Sequence, residues 1–542
     1  MPEPMMDAGP SPAAGGASRF APRGGGAALT RRLGRGPDPP ARQLLGEGRR
    51  PACGSLGAAR SGPQGPHRAA ALAGVVSRAG AGAGQSGAAA PDPEETKRYE
   101  QRLSRLLIAF LSSGLAFLLA PGGLLGAWSL LHISRAQSPT AVPPALLQAH
   151  GHAQIYGWVG SFILGIGFHS LARLRGVRVR LGLAWACWAM WTAGVALRWW
   201  GGVSGWHWRL LLPASAVLEI AAFLFFQTTA FGAHRRHAAS ESGTRGAGAP
   251  GLAAIAGSAP AAGGGRSGPP GWVLLVLTGA AGCLLTLLMN LAADICHAGW
   301  TATRVFSPGY DTRLVTLMGW AFLVPFIWGF STRWLPIFAG FRAAPDWLAR
   351  WLIALVAAGT LATLAGWFLP AAICWLAAAV LAAAGLGVLR PAVQKAKTQG
   401  IHRGFPIFLR LAYGWLLAAA ALGVWAAWRP GVAGLLGAAR HALTVGFVAA
   451  MVVAIGCRVL PAFSGMKRLF SPALMGWSLA LVNLGCLARV TCEVLAYPGW
   501  LAPAWMVLPF SAAIEGVGLA LFAYNLARTL ASPPAHLQAA AA

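Results

Sequence analysis

From Leu106 to the region of Thr529 the chain is a succession of apolar runs. Each is close to the roughly 20 helical residues needed to cross the hydrocarbon core of a bilayer. The pattern predicts twelve transmembrane helices, at 105–128, 152–174, 181–199, 209–232, 272–294, 312–333, 347–369, 371–390, 406–428, 441–462, 472–496 and 502–529. The seventh and eighth run together at Leu369-Pro370, so the boundary between them is the least sharply drawn. The expected fold is therefore all-α, a polytopic membrane protein.

The loops give an independent check, because Lys and Arg near helix ends gather on the cytoplasmic side. Lys97, Arg98, Arg102 and Arg105 precede the first helix, and Arg173, Arg175, Arg178 and Arg180 follow the second. Arg235 and Arg236 follow the fourth, Arg333, Arg342 and Arg350 the sixth. Arg390, Lys395, Lys397 and Arg403 follow the eighth, Lys467 and Arg468 the tenth. This alternation places both termini in the cytoplasm. Residues 1–95, rich in Ala, Gly, Pro and Arg, bury too little apolar surface to offset ordering entropy and are expected to be a disordered tail. Helices 1–4 then occupy 96–233, a flexible cytoplasmic linker 234–270, helices 5–12 residues 271–530, and a second tail 531–542.

Composition agrees: 56% of the 542 residues are hydrophobic and 11% charged, against about a quarter charged in soluble domains. The net charge of +28 lies between apolar runs or in the tails, without an aromatic-studded basic face. It reads as orientation in a lipid bilayer and excludes nucleic acid as a partner. Eight cysteines without a Cys-x-x-Cys spacing indicate neither a structural zinc site nor a disulfide framework.

An internal repeat emerges once the helices are numbered. Arg-Trp-Leu-Pro-Ile-Phe-Ala-Gly at 333–340 and Arg-Val-Leu-Pro-Ala-Phe-Ser-Gly at 458–465 end the sixth and tenth helices. Seventeen residues separate His441 from Arg458, and seventeen separate His152 from His169. The second, sixth and tenth helices are thus expected to be equivalent members of three four-helix units.

Six of the twelve histidines (His132, His150, His152, His207, His297 and His441) fall in the outer layer. Neutral imidazole is the usual protein ligand for haem iron and copper, and polar groups inside a membrane bundle are usually functional. His152 and His441 open two helices running in the same sense at the same depth, so as neighbours they would meet across one haem. His150, about 200° away from His152 around the helix axis, would face copper or a second haem. His297, beside Cys296, is a further candidate metal ligand, with helix-end capping as its alternative role. Arg440 carries the forked donors that suit haem propionates, as do Arg198 and Arg209. Glu219, Glu493, Glu515, Asn290 and Asn483 lie inside predicted spans, where interhelical hydrogen bonding is favoured over a proton path.

These residues carry a resemblance. His-Ala-Leu-Thr-Val-Gly at 441–446 resembles the tenth-helix signature of the NnrS family, and His-Gly-His-Ala-Gln-Ile-Tyr-Gly at 150–157 is similar to that family's His-x-His-Glu-Met-x-Phe-Gly stretch, departing from it at Ala153 and Gln154. The resemblance covers roughly residues 100–530. It implies a twelve-helix, haem- and copper-containing protein of the bacterial inner membrane, associated with responses to nitric oxide and nitrosative stress, with nitric oxide or a redox protein as partner. It assigns no reaction. NnrS proteins in turn resemble the catalytic subunits of haem–copper oxidases and nitric oxide reductases, which carry His-x-His on the tenth helix and copper-ligand histidines on the sixth and seventh. Here the tenth has Leu443 in place of a second histidine, and the sixth and seventh have none. A conventional oxygen-reducing binuclear site is therefore not expected. A divergent oxidase or nitric oxide reductase, and a metal-free transporter, are the competing readings.

Overall fold

The computed structural model describes residues 93–175, 178–243, 269–463 and 468–531. The amino-terminal tail up to residue 92, residues 244–268 of the linker and the tail from 532 lie outside the described residues. The described residues form twelve long helices and no strand: α1 (Glu94–Ala136), α2 (Pro144–Ala172), α3 (Leu181–Ser204), α4 (Trp208–Gly243), α5 (Gly271–Trp300), α6 (Pro308–Ala339), α7 (Asp346–Ala365), α8 (Phe368–Gly385), α9 (Phe405–Trp428), α10 (Leu435–Pro461), α11 (Pro472–Ala496) and α12 (Ala504–Ala531). Eleven are apolar enough to cross a membrane by hydropathy alone. The twelfth, α3, is as long as they are but carries Arg198 and a run of tryptophans in place of aliphatic residues.

Several boundaries differ from the hydropathy pattern for identifiable reasons. α2 begins at Pro144, where a proline fits the first turn, whose N–H groups have no intrahelical partner anyway. His150 and His152 therefore lie inside the helix and not at its mouth. α10 likewise begins at Leu435, after Gly434 (φ +85°), which puts His441 within the span. The joined runs divide earlier than Leu369: α7 stops at Gly366 (φ +82°), a left-handed residue that ends a helix without a Cβ penalty, and α8 restarts at Phe368. α4 continues as helix to Gly243, so the first ten residues of the expected linker are helical.

Neighbours in sequence pack as neighbours in space, and α12 returns to lie against α1, closing the ring. Three helices stand inside it. In α2, α6 and α10 the buried share of the apolar span is 67%, 72% and 72%, against at most 44% in the other eight apolar spans. This is the predicted equivalence of the second, sixth and tenth helices. Tyr156 on α2 stacks on Phe322 of α6 with centroids 5.7 Å apart, and Gly319 of α6 accepts the side chain of Leu443 from α10. Exposed tryptophans (Trp200, Trp206, Trp300, Trp367, Trp428 and Trp500) mark the ends of α3, α5, α7, α9 and α11. In an antiparallel bundle all those ends lie on one side, where an aromatic belt marks the membrane–water boundary.

The inner helices share a second feature. Each contains a π-helical turn, at Ala153–Gly160, Met318–Leu323 and Ala442–Ala449, and α1 has one at Leu118–Leu124. The first and third start on the residue after His152 and His441. Such turns widen the helix, rotate the side-chain rows that follow, and are frequent at functional sites.

Candidate cofactor site

The two histidines of α2 serve two different clusters. His152 is 4% exposed, and its Nε2 lies 2.9 Å from Oε1 of Glu219 on α4. Next to this pair Arg198 of α3 donates to Asp294 of α5 (2.5 and 3.4 Å) and to Oδ1 of Asn290 (2.9 Å). All five groups are at least nine-tenths buried. The Tyr156 hydroxyl extends the network by donating to Thr286 at 2.7 Å. Burying charges at this depth is tolerated only when they are paired and hydrogen-bonded, and here each charged group has a partner.

His150 turns the other way. Its Nδ1 donates to the carbonyl of Gly122 on α1 at 2.8 Å. That carbonyl lies in the π-helical turn around Pro121, whose own carbonyl accepts Trp199 Nε1 of α3 at 3.1 Å. Both carbonyls lie in the π-helical turn, and two neighbouring helices bond to them. On α10, His441 Nδ1 donates to Gly437 O (3.0 Å) and lies 3.2 Å from Oε2 of Glu493 on α11. Glu493 in turn accepts Arg489 Nη2 at 2.8 Å. Gly437 makes room for this, since a Cβ there would sit 3.2 Å from the Glu493 carboxylate.

His441 and Arg489 are within electrostatic reach of His150, whereas the charged groups acting on His152 are Glu219, Arg198 and Asp294. Of the two α2 imidazoles, His150 is the one whose charged neighbours include His441, while His152 is bonded to Glu219. The reason is rotational, since His152 is held toward α4 by Glu219 and the residue two positions earlier emerges on the opposite side of α2.

The chemistry of this second cluster suits a metal-bound macrocycle. A metal-ligating histidine ordinarily donates one ring N–H to a carbonyl or carboxylate, and Nδ1 of His150 and of His441 is bonded in that way. Arg440 Nε and Nη2, and Arg489 Nε and Nη1, are buried with no hydrogen-bond partner. Arg440 is otherwise engaged only with Asp311 of α6, at 3.9 Å. Unmatched guanidinium donors beside two oriented imidazoles fit the carboxylates and iron of haem.

The remaining sequence candidates separate from the cluster. His297 Nδ1 bonds the carbonyl of Thr303 (3.0 Å) and its ring packs on Phe306, so it holds the loop between α5 and α6. Arg198 is committed to Asp294, and Arg209 reaches the carbonyl of Thr301 (3.3 Å). Asn483 accepts Trp415 Nε1 at 3.0 Å, an interhelical bond of the kind expected. Among the described residues no group of three or more His, Cys, Asp or Glu is arranged to hold a metal ion. Sequence reasoning missed Gly122, Gly437 and the partnership of Arg489 with Glu493, which arise from other helices and carry no local signature.

The chain is similar to a solved structure described as a heme-copper terminal oxidase dimer, with a TM-score of 0.59, 12% identity, and coverage of 81% of this chain and 85% of that one. At that identity the likeness defines the fold alone. No family model matches the chain, and no curated relative does.

Proposed function

We propose that this chain is a haem-carrying redox protein of the bacterial inner membrane, NnrS-like, with both termini cytoplasmic, in which His150 and His441 hold the iron. The observation that carries this reading is the pair of imidazoles on α2 and α10, each with Nδ1 tied to a glycine carbonyl, at 2.8 and 3.0 Å, beside Arg440 and Arg489 nitrogens that lack acceptors. The oxidase-like arrangement of the helices supports it. Haem bound there would supply one-electron chemistry. The protein's part is to fix the ring orientation of both ligands, to offer Arg440 and Arg489 to the carboxylates, and to exclude water with the packed inner helices. A role in handling nitric oxide rests on the NnrS resemblance of residues 150–157 and 441–446.

The test is the reduced-minus-oxidised optical spectrum and iron content of the purified protein. His150→Ala and His441→Ala are expected to lose the haem bands, and His152→Ala to retain them. Normal haem in the first two variants, or its loss only in the third, overturns the assignment. Addition of nitric oxide to the reduced protein tests the finer claim, which requires a shifted spectrum.

A further inference from the structure

The π-helical turn of α1 leaves a groove on the outside of the bundle. Up to Phe117 α1 packs along α3, whereas from Leu125 it packs on α12 and on the first turns of α2. At the level of the gap α3 presents only the small side chains of Ala193 and Ala196, both exposed. The result is an open cavity of about 500 Å³, walled by Phe117 and Pro121 of α1 and by Ala193, Ala196 and Trp200 of α3. No charged side chain lines it, and the Trp199 N–H beside it is turned to the Pro121 carbonyl at 3.1 Å. A bound water needs two to four polar partners, which walls of this kind do not supply. Left empty, the walls would forfeit their dispersion contacts on one side. The filling that matches them is hydrocarbon.

The groove opens onto a track that ends in positive charge. The stripe of α1 that carries Pro121 continues at helical spacing through Leu124 (70% exposed), Trp128 (43% exposed), His132 and Arg135. The His132 ring lies over Trp128 with centroids 4.0 Å apart, and its Nδ1 donates to the Trp128 carbonyl at 3.0 Å, so the two rings form one aromatic ledge. Arg135 is exposed and lies about 21 Å of helix beyond Pro121. Half of a bilayer core is about 15 Å, so with Pro121 inside the hydrocarbon the guanidinium stands at the level of the headgroups. Between Glu100 and Glu219 the chain contains neither Asp nor Glu. No carboxylate of α1, α2 or α3 beyond the first turns of α1 therefore repels an anion at Arg135 or attracts the cation of a zwitterionic headgroup.

We propose that the groove between α1 and α3 is a binding site for one anionic phospholipid. An acyl chain lies against Phe117, Pro121, Ala193 and Ala196, the glycerol region rests on the ledge of Trp128 and His132, and the phosphate pairs with Arg135. Apolar walls match the chain and the arginine matches the phosphate. The site is independent of the haem reading, since none of its residues is a candidate ligand.

The experiment titrates the purified, delipidated full-length protein with phosphatidylglycerol and counts bound lipid by native mass spectrometry. One phosphatidylglycerol is expected to be held more tightly than the rest, and more tightly than phosphatidylcholine. Ala196→Trp, which fills the groove, should abolish that site, and Arg135→Gln should weaken it roughly fivefold. Val380→Trp and Arg429→Gln, on the lipid face of α8 and at the end of α9, should leave it unchanged. A phosphatidylglycerol with a photoactivatable acyl chain gives a reading on the unmodified protein: cross-links should concentrate in residues 117–128 and 193–200. Cross-links spread evenly over the lipid-facing helices, or equal retention in Ala196→Trp, overturn the proposal. So does displacement of the lipid by inorganic phosphate, which would reduce the site to a headgroup contact, or recovery of a neutral isoprenoid quinone from the groove in its place.

Discussion

The buried group around Arg198 permits a worked stability prediction. Asp294→Ala removes two of the three hydrogen bonds made by the guanidinium and leaves a 7%-exposed cation bonded only to Asn290. Breaking one side of such a pair costs about 3–5 kcal/mol, most of it the penalty of an uncompensated buried charge. Arg198→Met creates the opposite defect, a 1%-exposed Asp294 without a donor, and should cost a similar amount. Arg198→Met combined with Asp294→Leu removes both charges. What remains is Asn290 Oδ1 without its donor, so the double variant should lose only about 1–3 kcal/mol. The singles therefore sum to far more than the double, with a coupling at or above the roughly 3 kcal/mol upper end seen for contacting residues. Denaturant titration of the four purified proteins in one detergent measures the cycle. Singles that lose less than about 1 kcal/mol, or a double that loses the sum, would refute the account of this cluster as a mutually dependent charge pair. Haem per folded molecule should be unchanged throughout, because the cluster is separate from His150 and His441.

Other perturbations probe other parts of the bundle. Gly282→Ala would drive a Cβ into the backbone carbonyl of Ala321 where α5 crosses α6; a loss of about 1–3 kcal/mol by overpacking is expected, while Gly423→Ala, with open space around it, should be neutral or mildly stabilising in the same denaturant assay. Tyr156→Phe removes the 2.7 Å bond to Thr286, whose hydroxyl keeps its contact with Gly282 O, and should cost about 1 kcal/mol. In a chain carrying Cys53→Ser, exposed Cys296 at the end of α5 should react with a membrane-impermeant maleimide added outside intact cells; labelling only after lysis would reverse the proposed orientation.

How far the sequence carried these conclusions depended on which physical rule each feature obeys. The number and order of the helices follow from apolar length, a local property, and they stand in the structure. Helix starts were misplaced where polar residues lie inside the bundle: Gln148, His150 and Arg440 look like helix mouths to a hydropathy scale, yet the helices start at Pro144 and Leu435. The repeat makes His152 and His441 equivalent, and each precedes the π-helical turn of its own helix. Each turns toward a glutamate of an outer helix, His152 to Glu219 of α4 and His441 to Glu493 of α11. Which α2 imidazole shares the surroundings of His441 is set instead by rotation about that helix, fixed by contacts to α1 and α4 that no local spacing records. With His152 bonded to Glu219 of α4, the histidine two positions earlier is left on the other side of α2, bonded to Gly122 of α1, and that is the side the proposed ligand assignment uses.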